Sequence, residues 1–320
     1  MASRAKSSAP DRRPRPLEPG DLVAVPAPAG PVPREAFLAG LRILEARYRV
    51  VHDDGVFCRT GYLAGDDARR AAELNRYLAD PDVRAIHCAR GGYGIMRILP
   101  ALDAAALRRA PLIVGFSDVT ALLAWAWARA GVRGVHGPNV TQLAAVPAAD
   151  QAALWRLLED PAPPGLWATG LTRVTGGVAR GPLVGGNLEV LSRLVGTDTL
   201  PSLRGAILFL EEVGERPYRL DRTLTHLALA GALAGVAGVL VGDLVKCDEP
   251  DGSGPGPTEV VAERLATLGV PVCLGMPAGH GARNRALPLG APAVLDADAG
   301  TLELLEGAVG DTQPPSNHSI

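Results

Sequence analysis

Three short stretches of this chain hold residue types that could make and break an acyl bond. In Gly115-Phe116-Ser117-Asp118 a serine stands where an apolar run, Leu112–Phe116, gives way to a helical pattern, Val119–Ala130. A strand-to-helix turn lifts a hydroxyl above a sheet and aims the first helical N–H groups at a developing oxyanion. Serine is also a favoured helix cap, and Val119 occupies the second glycine position of Gly-x-Ser-x-Gly, so the junction taken alone reads as a cap. In Leu208–Val213, Glu211 and Glu212 end an apolar strand pattern; strand alternation sends them to opposite faces, so only one can serve a given pocket. In Gly279-His280-Gly281 an imidazole sits between glycines that suit a loop approaching a pocket closely. A hydroxyl, a neutral imidazole and an acid that fixes its tautomer suffice for acyl transfer. Residue types permit such a set here without choosing its members. Of the other histidines, His87 falls in a strand pattern and His226 in a helix, where structural roles are the default; His136, before Gly137-Pro138, is an outside candidate for a pocket.

Arg90-Gly91-Gly92-Tyr93-Gly94 follows another strand pattern, Arg84–Ala89. Its glycines would let backbone approach a ligand and donate N–H groups to an oxyanion. The Lys-Ser/Thr of a phosphate loop and the full Gly-x-Gly-x-x-Gly spacing are missing, which disfavours a nucleotide site.

The elements that must carry these residues alternate. Strand patterns at Leu22–Pro26, Tyr48–Val51, Arg84–Ala89 and Leu112–Phe116 are separated by helical ones. One helix starts near Pro33 with Phe37, Leu41 and Leu44 on one face, and another is capped by Asp66 or Asp67 and runs to Leu78. This order predicts an α/β fold: a doubly wound, mainly parallel sheet with active groups beyond the carboxyl ends of its strands. Gly30, Gly91 and Ser117 each follow a strand and could therefore meet. Asp160-Pro161-Ala162-Pro163-Pro164-Gly165 reads as a linker, and short strands beyond it predict a smaller second α/β domain. The division expected is a basic disordered tail over 1–19, a first domain over 20–160, a linker over 161–178, a second domain over 179–309 and a disordered tail over 310–320.

With 47% apolar and 21% charged residues, 320 in all, the chain can bury a sizeable core. A net charge of −2 and few aromatics give no case for nucleic acid or an anionic membrane as the main partner. The four cysteines match neither a zinc pattern nor a disulfide scaffold, so no metal is expected. Leu227–Gly242 is apolar but short and broken by glycine, and no secretory h-region is evident; a soluble cytoplasmic protein is the reading.

Read together, the motifs resemble the LD-carboxypeptidase family, which trims murein tetrapeptides and includes microcin self-immunity proteins. The matching stretches, in family order, are Arg90–Gly94, Gly115–Leu122, Gly185-Gly186-Asn187-Leu188, Val195-Gly196-Thr197, Leu210-Glu211-Glu212 with Glu215-x-Pro217-Tyr218-Arg219, Gly279-His280-Gly281 and Leu287–Gly290. The resemblance implies a serine peptidase without cofactor. Ser117 would be the nucleophile, His280 the base and Glu211 the acid, with backbone N–H groups of Asp118 and of Gly91 or Gly92 as the oxyanion hole. It implies a homodimer acting on the bond between the L-centre of a diamino acid and a terminal D-alanine. Arg90, Arg219, Arg283 and Arg285 are candidates for holding the free carboxylate. Two rivals remain: a self-immunity-type hydrolase of peptidyl nucleotides, for which Trp125, Trp127, Trp155 and Trp167 offer no clear adenine partner, and a ligand-binding protein in which Ser117 only caps.

Overall fold

The computed structural model describes residues 11–252 and 254–310. Strand β1 (Leu22–Ala24) leads through helix α1 (Arg34–Glu45) to β2 (Arg49–Val51), then α2 (Asp67–Ala79), β3 (Val83–His87), the single turn α3 (Ile95–Ile98), β4 (Leu112–Gly115), α4 (Thr120–Ala130), β5 (Gly134–His136) and α5 (Ala148–Glu159). The second part follows as β6 (Gly165–Ala168), β7 (Thr172–Thr175), β8 (Val178–Asn187), α6 (Leu188–Arg193), β9 (Ile207–Val213), α7 (Pro217–Leu229), β10 (Gly238–Val245), α8 (Pro257–Ala266) and β11 (Val272–Leu274). Three more strands close it: β12 (Leu287–Leu289), β13 (Pro292–Asp296) and β14 (Thr301–Leu304).

The first sheet has the order β12-β5-β4-β3-β1-β2, parallel from β5 to β2. Strand order reverses between β1 and β3, so the crevice beyond their carboxyl ends is the switch point where doubly wound sheets bind ligands. Alternate residues of the same strands enter separate cores: Val23, Ala85, Leu112 and Val114 pack with α1 and α5, whereas Ala24, Ile86 and Ile113 pack with α2 and α4. Both faces are covered, which explains why these strands read as continuous apolar runs. Asp66 caps α2, its carboxylate accepting the Arg69 N–H at 2.8 Å.

The second sheet has eight strands, ordered β6-β14-β13-β8-β9-β10-β11-β7. Strands β8 to β11 are parallel and antiparallel strands flank them on both sides. Helices α6, α7 and α8 cover one face through Leu188, Leu191, Leu224, Leu227, Val261 and Leu265.

Three expectations need correction. The proline-rich stretch does not open a linker over 161–178: β6 and β7 lie there and form the two outer strands of the second sheet, and Trp167 is buried with Nε1 donating to the Ala286 carbonyl at 2.9 Å. Proline and exposed backbone are typical of edge strands as well as linkers, so composition does not separate the two. The tail expected over 1–19 is anchored from residue 11: Leu17 is buried, the Arg12 N–H bonds the Gly131 carbonyl at 2.7 Å, and Asp11 pairs with buried Arg133. Residues 1–10 lie outside the described ones, as do 311–320; Gly310 itself is buried and donates to the Pro14 carbonyl at 3.0 Å. Finally β12, far along the second half of the chain, leaves its neighbours and pairs antiparallel with β5 of the first sheet. Among the described residues no helix is long and apolar enough to cross a membrane.

Where β8 lies against β9, Gly185 adopts φ +144°, and a Cβ there would stand 1.8 Å from the Phe209 carbonyl oxygen. Gly185→Ala should therefore destabilise the protein by roughly 2–3 kcal/mol or more, combining overpacking with backbone strain. Urea unfolding, with a lowered midpoint and an unchanged slope, is the measurement.

Candidate active site

Ser117 closes the turn between β4 and α4. The chain makes a short 3₁₀ turn, Ser117–Val119, before α4 begins, and Ser117 takes φ +65°, in the left-handed region that non-glycine residues rarely occupy. The residue before the turn is Phe116, and no side-chain capping bond forms there. The serine thus does not act as the cap that its position suggested. Gly115 makes the turn possible, since a Cβ on it would meet Asn139 Oδ1 and Val119 Cγ1 at 2.8 Å.

The three strand-end loops foreseen to meet do so. Gly30 donates to the Gly91 carbonyl at 3.0 Å, and a Cβ on Gly91 would stand 2.8 Å from Ser117 Cβ and 3.0 Å from its Oγ. Backbone over 90–92 therefore lies directly against the serine. Buried Arg70 steadies these loops by donating Nη1 to the carbonyls of Pro28 (2.6 Å) and Gly94 (2.9 Å).

Glu211 and Glu212 part to opposite faces of β9. Fully buried Glu211 accepts a hydrogen bond from His280 Nδ1 at 2.7 Å. With Nδ1 holding the proton, Nε2 is the acceptor of the neutral ring. The glycines flanking His280 serve the approach: a Cβ on Gly279 would lie 2.9 Å from Glu211 Oε2, and one on Gly281 2.6 Å from Asp243 Oδ2. Asp243 accepts the Gly281 N–H at 3.0 Å and buried Asn284 accepts that of Gly279 at 3.2 Å, so both ends of the histidine turn are held. Burial, and secondarily the nearby Glu211, raises the Asp243 carboxyl above its usual range. Sequence reading did not single out Asp243; its signal was a carboxylate near the carboxyl end of an apolar parallel strand.

Glu212 turns to the other face. Its Oε1 accepts from Asn187 Nδ2 (3.0 Å) and the Val213 N–H (2.8 Å), and its Oε2 from the Glu189 N–H (2.8 Å). Burial pushes its carboxyl up to about 7. Asn187 caps α6 and donates its own N–H to Thr120 Oγ1 at 3.0 Å, which ties the second sheet to the serine helix.

A cleft of about 380 Å³ is lined by Ser117, His280, Phe116, Arg90, Gly91, Gly92, Asn139, Thr141, Gln142 and Val213. Of the four arginines singled out, Arg90 borders it. Arg283 is held in a two-point pair with fully buried Asp150 (2.7 and 3.1 Å), Arg285 lies over the Trp167 ring, and exposed Arg219 sits beside Glu215 and Tyr218 on α7. His136 is fully enclosed between Phe116 and Phe209, at ring distances of 5.7 and 4.9 Å, and burial pushes it down to about 3. It stays neutral behind the cleft instead of lining it. His87 Nε2 donates to the Pro138 carbonyl (2.8 Å) and is likewise structural. Among the described residues no group of histidine, cysteine and carboxylate side chains could hold a metal ion.

Burial also raises Asp118, to about 6, against opposing help from the Ile95 N–H and Arg70. A folded-state value above the unfolded ~3.9 means the folded chain binds the proton more tightly, so its stabilising contribution is full below about 4 and is lost as pH rises through 6. Asp118→Asn keeps an acceptor for Ile95 and removes the titration. Between pH 4 and 7 the wild type should lose on the order of 2–3 kcal/mol relative to this variant, read by urea unfolding at both pH values.

Models of the LD-carboxypeptidase N-terminal and C-terminal domains match residues 23–137 and 180–295. A Synechocystis sp. protein is 40% identical over 92% of this chain and 97% of its own length. The murein tetrapeptide carboxypeptidase of Pseudomonas aeruginosa is 35% identical over 86% of this chain and 92% of its own. Among solved structures, muramoyltetrapeptide carboxypeptidase from Oxalobacter formigenes has a TM-score of 0.78 at 27% identity, covering 91% of this chain and 100% of the other. The microcin C7 self-immunity protein MccF has a TM-score of 0.84 at 24% identity, covering 93% and 100%, which shows a shared fold. With both domain models matched in order, the chain belongs to the LD-carboxypeptidase family.

Proposed function

We propose that this protein is a serine carboxypeptidase that releases the terminal D-alanine of murein tetrapeptides in the cytoplasm, as a homodimer serving cell-wall recycling. The observation that carries the reading is the buried Glu211–His280 hydrogen bond at the edge of a cleft that Ser117 also lines. His280 Nε2 takes the proton of Ser117 as Oγ attacks the scissile carbonyl. Glu211 keeps the proton on Nδ1 and stabilises the imidazolium once it forms. The N–H groups of Asp118 and of Gly91 or Gly92 receive the oxyanion; one such donor is typically worth about 3 kcal/mol in the transition state. His280 then protonates the departing amine of D-alanine, and water, activated by the same imidazole, hydrolyses the acyl-enzyme. Among the four candidates for holding the substrate's carboxylate, Arg90 is favoured by its position at the cleft wall.

The positive φ of Ser117 and its contact with Gly91 support a nucleophile more than a cap, because a cap needs neither strain nor a close-packed glycine. Purified protein should release D-alanine from murein tetrapeptide. Ser117→Ala should abolish this, and Glu211→Gln should lower kcat roughly 10³- to 10⁴-fold by losing the correct tautomer. D-alanine release that survives Ser117→Ala removes the nucleophile assignment; turnover of an aminoacyl nucleotide alone would move the chain to the self-immunity branch.

A further inference from the structure

Strands β9 and β10 pair residue for residue from Ile207 with Gly238 to Leu210 with Val241, and again from Glu212 with Leu244 onward. Between those pairs β9 has one residue, Glu211, and β10 has two, Gly242 and Asp243. The extra residue makes a β-bulge directly opposite the acid of the proposed triad, and a bulge re-aims the side chains that follow it. Val239 and Val241 point into the core under α6, α7 and α8 with Leu208 and Leu210, and Leu244 packs against that core again. Leu240 and Phe209 point the other way. Unbroken alternation would send Asp243 under the helices; the bulge turns it to the face shared by Phe209 and Glu211. A Cβ on Gly242 would stand 2.3 Å from the Ala278 carbonyl oxygen and 3.0 Å from Phe209 Cε2, so the bulge admits no larger residue before Asp243.

On that face Asp243 meets the histidine turn twice. Its own N–H donates to the Ala278 carbonyl at 3.0 Å, and its Oδ2 accepts the Gly281 N–H at 3.0 Å. The two bonds bracket His280, one on each side of it in the chain. The imidazole itself is engaged elsewhere: Nδ1 bonds Glu211 at 2.7 Å, and the ring lies tilted over Phe116 with centroids 4.7 Å apart. The charged or titratable groups that face Asp243 are Glu211, His280 and Arg283, and Arg283 is committed to Asp150. The Asp243 carboxylate therefore meets the backbone on which the imidazole is mounted, and not the imidazole.

We infer that Asp243 is a positioning residue for the base, turned into the site by the bulge and acting through its hydrogen bond to the Gly281 N–H. Glu211 fixes where the ring proton sits, and Asp243 fixes where the ring stands relative to Ser117. The inference rests on the proposed function in taking His280 as the base. Proton transfer is sensitive to placement, since a shift on the order of 1 Å costs about 10²-fold in rate. The brace therefore acts on kcat and leaves substrate affinity almost untouched.

Asp243→Ala removes the acceptor for Gly281 and leaves the bond to Ala278, which the backbone makes. For D-alanine release its kcat should fall roughly 10- to 100-fold, with KM within about twofold of wild type. Asp243→Asn keeps a side-chain oxygen for Gly281 and should recover kcat to within about threefold of wild type. A wild-type kcat in the alanine variant overturns the inference. So does an asparagine variant as slow as the alanine one, which assigns the effect to charge, or a raised KM at unchanged kcat, which assigns it to substrate binding. A second measurement needs no substrate. Solvent exchange of the His280 Nδ1 proton, followed by proton NMR, should quicken about tenfold in Asp243→Ala and not in Asp243→Asn. If wild-type protein releases no D-alanine, the proposed function fails and this exchange still decides the inference: equal rates in wild type and the alanine variant overturn it.

Discussion

Ser117 hangs from the first sheet, and His280 and Glu211 from the second, so the cleft that Ser117 and His280 line exists only while the two sheets keep a fixed relation. Several unlike contacts impose that relation. The loop carrying His280 runs straight into β12, which leaves its own half of the fold to pair with β5 beside the serine strand. Thr120, three residues after Ser117, accepts the N–H of Asn187, the residue paired across the ladder with Glu211. Arg283, three residues after His280, grips buried Asp150 on α5. One hydrophobic core also runs through both halves, from Phe37 and Leu154 to Phe209 and Leu295. Each contact acts within a few residues of a site group. Sequence separation of the site residues therefore costs little positional freedom in the folded chain.

Glycine supplies the second half of the geometry. At Gly91 and Gly279 any side chain would intrude on Ser117 or Glu211, so the backbone itself forms the walls of the site. Close approach brings amide N–H groups near the place where negative charge would develop, without the desolvation that a buried cation would need. Acids placed around it are separated by their partners. Glu211 meets an imidazole, whereas Asp118, Glu212 and Asp243 meet backbone or amide N–H groups and have raised affinities for protons. Three carboxyls brace the loops and one faces the histidine.

Much of the first half was legible along the chain because its signals are local. Burial on both faces makes parallel strands read as apolar runs, and α1 and α2 announce themselves through Phe37, Leu41 and Leu44 on one face and the Asp66 cap. The edge strands β6 and β7 were not legible. The prolines just before β6 and the exposed residues of both strands look like a linker, and only pairing with β14 and β11 makes them strands. The same holds for Asp11 and Arg133, which meet across the fold although nothing local in the chain joins them.

By itself the sequence determined which chemistry was available: a serine at a strand-to-helix turn, a glycine-flanked histidine, and two glutamates on opposite faces of one strand. These follow from periodicity and turn residues, which act over a few positions. Local pattern left open, and the tertiary structure shows, that Glu211 and not Glu212 meets His280, as the family resemblance implied; the tertiary structure also decided that Ser117 is strained and uncapped, that His136 is sealed behind Phe116, and that Arg90 borders the cleft while Arg283 is held elsewhere. The physical reason is the same for all four. Each depends on which strand or loop from another part of the chain arrives within hydrogen-bonding or packing distance, and no local pattern encodes that arrival.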